Sequence, residues 1–181
     1  MSTPDVILAS TSTYRADLLR RVLERFEQAS PGTDEDHVDG EAPGMRAARL
    51  AEAKARAVAA QRPGAVVIGS DQVADLDGIV LDKPGTVHAA HAQLTASSGR
   101  DVVFHTAVCV IDAQGDALVH VDETRVTFRA LSPTDIERYV ERERPLDCAG
   151  SFKCEGLGIA LFERIVNEDP TALVGLPLIA T

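Results

Sequence analysis

A mixed α/β domain, α/β or α+β in class, is what this sequence predicts, and three observations carry it. Short apolar runs that read as strands are interleaved, in no simple alternation, with segments of helical apolar spacing. A length of 181 residues suits one ordinary domain, with room for two lobes around a cleft. With no Trp, two Tyr and five Phe, the core must rest on Ala, Val, Leu and Ile.

The elements follow in order. Val6-Ile7-Leu8-Ala9 reads as a short buried strand, and Leu18, Leu19, Val22, Leu23 and Phe26 then recur with helical spacing. Between them Ser10-Thr11-Ser12-Thr13 makes a hydroxyl-rich turn, whose oxygens suit the free N–H groups of a helix start. Pro31-Gly32 opens an acidic loop with Asp34, Glu35, Asp36, His37 and Asp39. Residues 45–60 are Ala-rich and helix-favouring, bounded by Pro43-Gly44 and Pro63-Gly64. Residues 66–71 read as a buried strand delivering an acid at its carboxyl end, and Asp77-Gly78 signals a hairpin between 73–76 and 79–81. Thr86 is placed to cap a helix running to about Ser98, with Gly99 as its stop. Strand-like runs at 102–111 and 118–128 are joined around Gln114-Gly115. Ser132-Pro133-Thr134-Asp135 supplies a cap, an N1 proline and an N3 acid for a helix that fades near Arg144-Pro145. From Gly156 onward, apolar stretches alternate with Gly and Pro, and the chain carries no internal repeat.

Charge narrows the function. Eighteen Lys+Arg against 28 Asp+Glu give a formal net charge of −10 with no basic run, so nucleic acid is a poor partner. A small anion is still allowed, because a pocket needs only a few local cations. No apolar run approaches the roughly 20 residues of a membrane span. Residues 1–5 show no signal-peptide pattern, and Cys109, Cys148 and Cys154 form an odd set, so a reduced, cytoplasmic setting is expected.

Several side chains are candidates for chemistry. The strand–turn–helix from Leu8 to Arg15 reads either as a capped helix packed on a sheet or as an anion site to which Arg15 adds charge; GxxxxGK[ST] is absent. Asp71 reads as a local turn or cap, or as an active-site acid at a strand end. With a carboxylate from the acidic loop it has the hard oxygen atoms magnesium prefers. Lys54 and Lys83 read by default as surface lysines. The Cys148 and Cys154 spacing is not that of a zinc site, and Ser70 lacks a nucleophile-elbow setting.

Together these motifs resemble the Maf family of nucleoside triphosphate pyrophosphatases. Leu8-Ala9-Ser10-Thr11-Ser12-Thr13-Tyr14-Arg15 is similar to the family's LASxSPxR opening, with Thr13 where proline is usual. Gly69-Ser70-Asp71-Gln72-Val73 with Lys83-Pro84, the segment 151–158, and Val174-Gly175-Leu176-Pro177 resemble its later signatures, in the family's order. The resemblance implies one domain over 1–181, with a mixed twisted sheet and flanking helices in two lobes, similar to the inosine triphosphate pyrophosphatases. It implies cleavage of nucleotides between the α and β phosphates, a divalent cation (Mg²⁺ or Mn²⁺), and a homodimer.

By motif match, Asp71 takes the catalytic-base position and a metal-ligand place beside Glu35. Ser10, Ser12, Arg15, Lys54 and Lys83 take phosphate-facing places. Tyr14, Gln72 and Glu155 fall on the positions that track substrate, and resemble the branch associated with 7-methyl-GTP. Physical chemistry points the same way. N7-methylation makes guanine a cation, which an aromatic face attracts, and a carboxylate accepts from guanine N1–H and N2–H₂. The alternatives are a dTTP or UTP pyrophosphatase of the same family, and a nucleotide-binding regulator of septum formation in which catalysis is incidental.

Overall fold

The computed structural model describes residues 4–181. Its spine is a seven-stranded sheet in the order β2-β1-β3-β5-β6-β7, with the short β4 paired on β3. The strands are β1 (Val6–Ala9), β2 (Glu27–Ala29), β3 (Val66–Leu76), β4 (Ile79–Val80), β5 (Asp101–Ile111), β6 (Ala117–Phe128) and β7 (Phe162–Val166). Four helices flank it: α1 (Thr13–Leu19), α2 (Pro43–Ala59), α3 (Val87–Ser97) and α4 (Pro133–Glu143). β1 pairs in parallel with β2 and β3, whereas β3–β5–β6–β7 run antiparallel, so the sheet is mixed.

Side-chain alternation along β3 sorts the cores. Val67 and Val73 face α2 with Ala47, Ala51, Ala55 and Val58, while Ile68 faces α1 with Leu18, Leu19 and Leu176. Beyond Val73 a third core takes over, with Leu94 of α3 and Ile136 and Val140 of α4. Phe104, Phe128, Phe152 and Phe162 concentrate the scarce aromatics here; Phe152 meets Phe104 edge-on at 5.1 Å and Phe162 at 4.8 Å.

The local signals operate as the residues require. Ser12, Thr86 and Ser132 cap α1, α3 and α4 with their side chains, and Ser132 with Asp135 completes a capping box. Asp77 and Gly78 both hold positive φ, at 51° and 87°, as a tight hairpin turn requires.

Two expectations are corrected. The helical spacing as far as Phe26 fails after Leu19: Arg21 and Val22 bond back three residues rather than four, tightening the chain into a turn. Val22 is left 58% exposed, Phe26 packs beneath Arg20, and the returning chain forms β2 beside β1. Asp71 is also not at the carboxyl end of its strand. It lies inside β3, which runs through to the hairpin, because β5 pairs with it from Val67 to Asp75. What ends near Asp71 is β1, whose pairing stops at Ala9 opposite Gly69, while β4 pairs only from Asp75. Between those limits β3 has no neighbouring strand on that side among the described residues, and the sheet opens.

Candidate active site

The cleft sits at this opening. It encloses about 330 Å³ and is lined by α1, α2, β3, the loop after β2, the segment after β4, and the chain after α4. A second depression shares Tyr14, Arg15, Glu35, Lys54, Lys83 and Asp147 with it and extends the cleft over the Ser10–Thr13 turn.

Helix α2 supplies the central cation. Ala47, Ala51 and Ala55 let its backbone lie directly on the sheet, and Gly69 of β3 leaves the space it needs. The adjacent stripe, Arg46, Leu50 and Lys54 at four-residue steps, faces the cleft. Lys54 Nζ stands 2.6 Å from Asp71 Oδ1 and 2.5 Å from Glu35 Oε1, so one ammonium ties the strand acid to the loop acid. Lys54 and Asp71 are buried, whereas Glu35 is half exposed. Burial alone would raise the Glu35 carboxyl, but Lys54, Lys83 and Arg15 hold it below its ordinary value.

Arg15 approaches from α1. Its Nε donates to the Gly175 carbonyl at 2.9 Å and its Nη1 to Ser10 Oγ at 3.4 Å. Burial pulls the guanidinium down from its usual value, opposed by Asp71 and Glu35, and it stays a cation. Ser10 Oγ also accepts from Ser12 N, and Ser12 Oγ from Arg15 N, so both hydroxyl oxygens shape the turn. Lys83 also lines the cleft and is exposed.

The remaining three candidates lie toward the chain after α4. Gln72 Nε2 is 2.9 Å from Thr106 Oγ1, 3.0 Å from the Ala172 carbonyl and 3.1 Å from the Leu173 carbonyl. An amide nitrogen fits among three acceptors and an amide oxygen does not, so Gln72 has its oxygen left as an acceptor. Glu155 is exposed at the rim, beside the Cys154 thiol. The ring of Tyr14 already carries a cation: Lys153 Nζ lies 6.0 Å from its centroid and 3.4 Å from Asp147 Oδ1.

All ten sequence-predicted residues therefore line the one continuous cleft. Sequence reasoning missed Arg46, Asp82, Asp147 and Lys153. Arg46 was signalled only by its eight-residue offset from Lys54 on one helix face; the others sit in loops, where spacing carries no period.

The Maf-like protein family matches residues 5–181. The chain belongs to the Maf family. Among Maf relatives it is 60% identical to a protein of Xanthomonas oryzae pv. oryzae named 7-methyl-GTP pyrophosphatase, covering 98% of this chain and 93% of that one. It is 55% identical to one of the same name from Albidiferax ferrireducens, over 97% of this chain and 89% of the other. Among solved structures it is similar to the Staphylococcus aureus Ham1 protein, at 15% identity and a TM-score of 0.48, covering 70% of this chain and 72% of that one. Among the described residues, no helix is long and apolar enough to cross a membrane.

Proposed function

We propose that this Maf protein hydrolyses 7-methyl-GTP to 7-methyl-GMP and pyrophosphate. The observation that carries the reading is the junction of Lys54, Asp71 and Glu35 at the opening in the sheet, with Arg15 and Lys83 on the same cleft. A triphosphate needs cations converging on one end of a pocket, and a hydrolase needs a base beside them. Lys54 engages Oδ1 of Asp71 and fixes the carboxylate, leaving Oδ2 to face an attacking water. The water oxygen bonds to the α-phosphorus, its proton passes to Asp71, and the bond to the α–β bridging oxygen breaks to release pyrophosphate. Arg15, Lys54 and Lys83 offset charge on the phosphoryl oxygens and the leaving group.

The donor set fits a divalent cation. Glu35 Oε1 and Asp71 Oδ1 both meet Lys54 Nζ, which leaves each carboxylate a second oxygen outside that contact; these would hold Mg²⁺, which is commonly bound by one or two carboxylates with substrate phosphates and water completing its shell. When bound, the ion supplies charge neutralisation at the phosphates and a lowered water pKa.

The base end supports methylated guanine. Glu155 and the Gln72 amide oxygen are acceptors, matched to the N1–H and N2–H₂ donors of guanine. The Tyr14 ring lines the cleft and offers a cationic base an aromatic face, and Asp147 and Glu155 add negative charge that offsets the nearby Lys153 ammonium. The names of the relatives agree. A single domain over 1–181, a homodimer and a cytoplasmic setting complete the proposal. The test is pyrophosphate release with Mg²⁺ or Mn²⁺ from 7-methyl-GTP, GTP, dTTP and UTP, by wild type and Asp71→Asn. Release from 7-methyl-GTP that Asp71→Asn lowers by roughly a hundredfold or more supports it. Turnover of dTTP or UTP alone, or binding without turnover, refutes it.

A further inference from the structure

Arg46 has no part in the reading above, yet its side chain is buried to 8% exposure on the cleft wall. Among the described residues, every partner of its side chain lies on two separate pieces of chain. Nη1 meets His37 Nδ1 at 3.0 Å, and Nη2 meets the Glu35 carbonyl at 3.4 Å and Asp82 Oδ1 at 3.4 Å. His37 Nε2 closes the ring at 3.3 Å from Asp82 Oδ2. Arginine only donates, so His37 Nδ1 accepts and its ring proton sits on Nε2, directed at Asp82. The Nε of Arg46 is buried with no partner among the described residues, so the fork is anchored wholly toward the loop and the segment it joins.

We propose that Arg46 is a positioning residue that clasps the Glu35 loop to the segment bearing Lys83. The backbone of Asp82 is fixed from its other side by Gln93, whose Nε2 donates to the Asp82 carbonyl at 2.8 Å. The loop reaches that fixed point through Arg46 and His37, and Glu35 and Lys83 thereby keep their places on one cleft. A second tie, Arg49 to the Asp36 carbonyl at 3.2 Å and to Glu41, holds the loop to α2 but not to Lys83. Only a planar, forked cation reaches the Glu35 carbonyl, the His37 ring and the Asp82 carboxylate at once; a lysine has one nitrogen at that place.

The inference rests on the proposed roles of Glu35 and Lys83, and its test separates the two. Full-length wild type, Arg46→Met, Arg46→Lys, His37→Ala and Asp82→Asn are compared by hydrogen exchange across residues 33–41, and by the Mg²⁺ and nucleotide concentrations giving half-maximal pyrophosphate release. In both Arg46 variants, exchange in 33–41 accelerates by roughly tenfold while α2 and β3 keep their protection. The half-saturating Mg²⁺ and the nucleotide KM rise on the order of tenfold, with a smaller loss in kcat. Wild-type exchange and wild-type Mg²⁺ requirement in Arg46→Met overturn the clasp. Should Arg46→Met not fold, the exposed-site variants His37→Ala and Asp82→Asn decide: smaller changes in the same direction support the proposal, and none refutes it. A wild type that releases no pyrophosphate refutes the proposed function, while the exchange data still judge the clasp.

Discussion

Gly69 of β3 lies so close to Ala55 of α2 that a Cβ on the glycine would stand 2.7 Å from the Ala55 nitrogen and against the Ala51 carbonyl oxygen. The site depends on this approach, because Lys54 precedes Ala55 by one residue and Asp71 follows Gly69 by two. Bringing the two backbones together brings the ammonium to the carboxylate. Gly69→Ala should therefore act on stability and activity at once. Overpacking costs about 1–3 kcal/mol, and pyrophosphate release should slow as α2 is pushed outward. Urea unfolding with a parallel rate assay checks both.

Replacing Lys54 with Met should move the acid limb of the rate profile upward. Lys54 is foremost among the cations that hold the Glu35 carboxyl below its ordinary value. A depressed carboxyl contributes stability that is present above its unfolded pKa and lost as pH falls through the folded one. Without Lys54 the Glu35 value rises, with Lys83 and Arg15 still opposing the effect of burial, so Glu35 protonates at higher pH. Rate profiles between pH 4 and 8 should show that limb displaced to higher pH, with lower activity throughout.

At the base end, Glu155→Gln should lower kcat/KM for 7-methyl-GTP on the order of tenfold to a hundredfold, since a charge-assisted hydrogen bond contributes roughly 1.5–3 kcal/mol. GTP should lose less, because it carries no cation for the carboxylate to complement. Steady-state kinetics on the two nucleotides reads the difference directly. Equal losses would place Glu155 away from the methylated ring.

The thiols on the cleft should be inert. Burial, with Asp147 beside Cys148 and Glu155 beside Cys154, pushes both up to about 12, and burial takes Cys109 to about 11. At pH 8 the thiolate fraction of each cleft cysteine is on the order of one in ten thousand. Iodoacetamide should modify the native protein far more slowly than free cysteine, with a rate still rising at pH 10, and denaturation should restore ordinary reactivity.

Much of this was legible in the sequence, for identifiable reasons. Ser12, Thr86 and Ser132 act through bonds within three residues, and Asp77-Gly78 through its own dihedrals, so each carried its meaning locally. That the ten candidates would gather on one cleft was legible because motif order fixed their positions. The end of α1 was not, because only the parallel pairing of β2 with β1 decides that the chain must turn back after Leu19. Nor was the place of Asp71, since the end of β1 opposite Gly69, rather than the end of β3, makes the opening. Arg46 and Lys153 were illegible for a related reason: their partners are His37, Asp82, Tyr14 and Asp147, set by loop paths that no periodicity records.

The most direct test of the account is hydrolysis of 7-methyl-GTP in ¹⁸O-labelled water, with the products resolved by ³¹P NMR and mass spectrometry. Attack by an Asp71-activated water at the α-phosphorus predicts one labelled oxygen in 7-methyl-GMP and unlabelled pyrophosphate. Label in the pyrophosphate, or release of orthophosphate with 7-methyl-GDP, would contradict it.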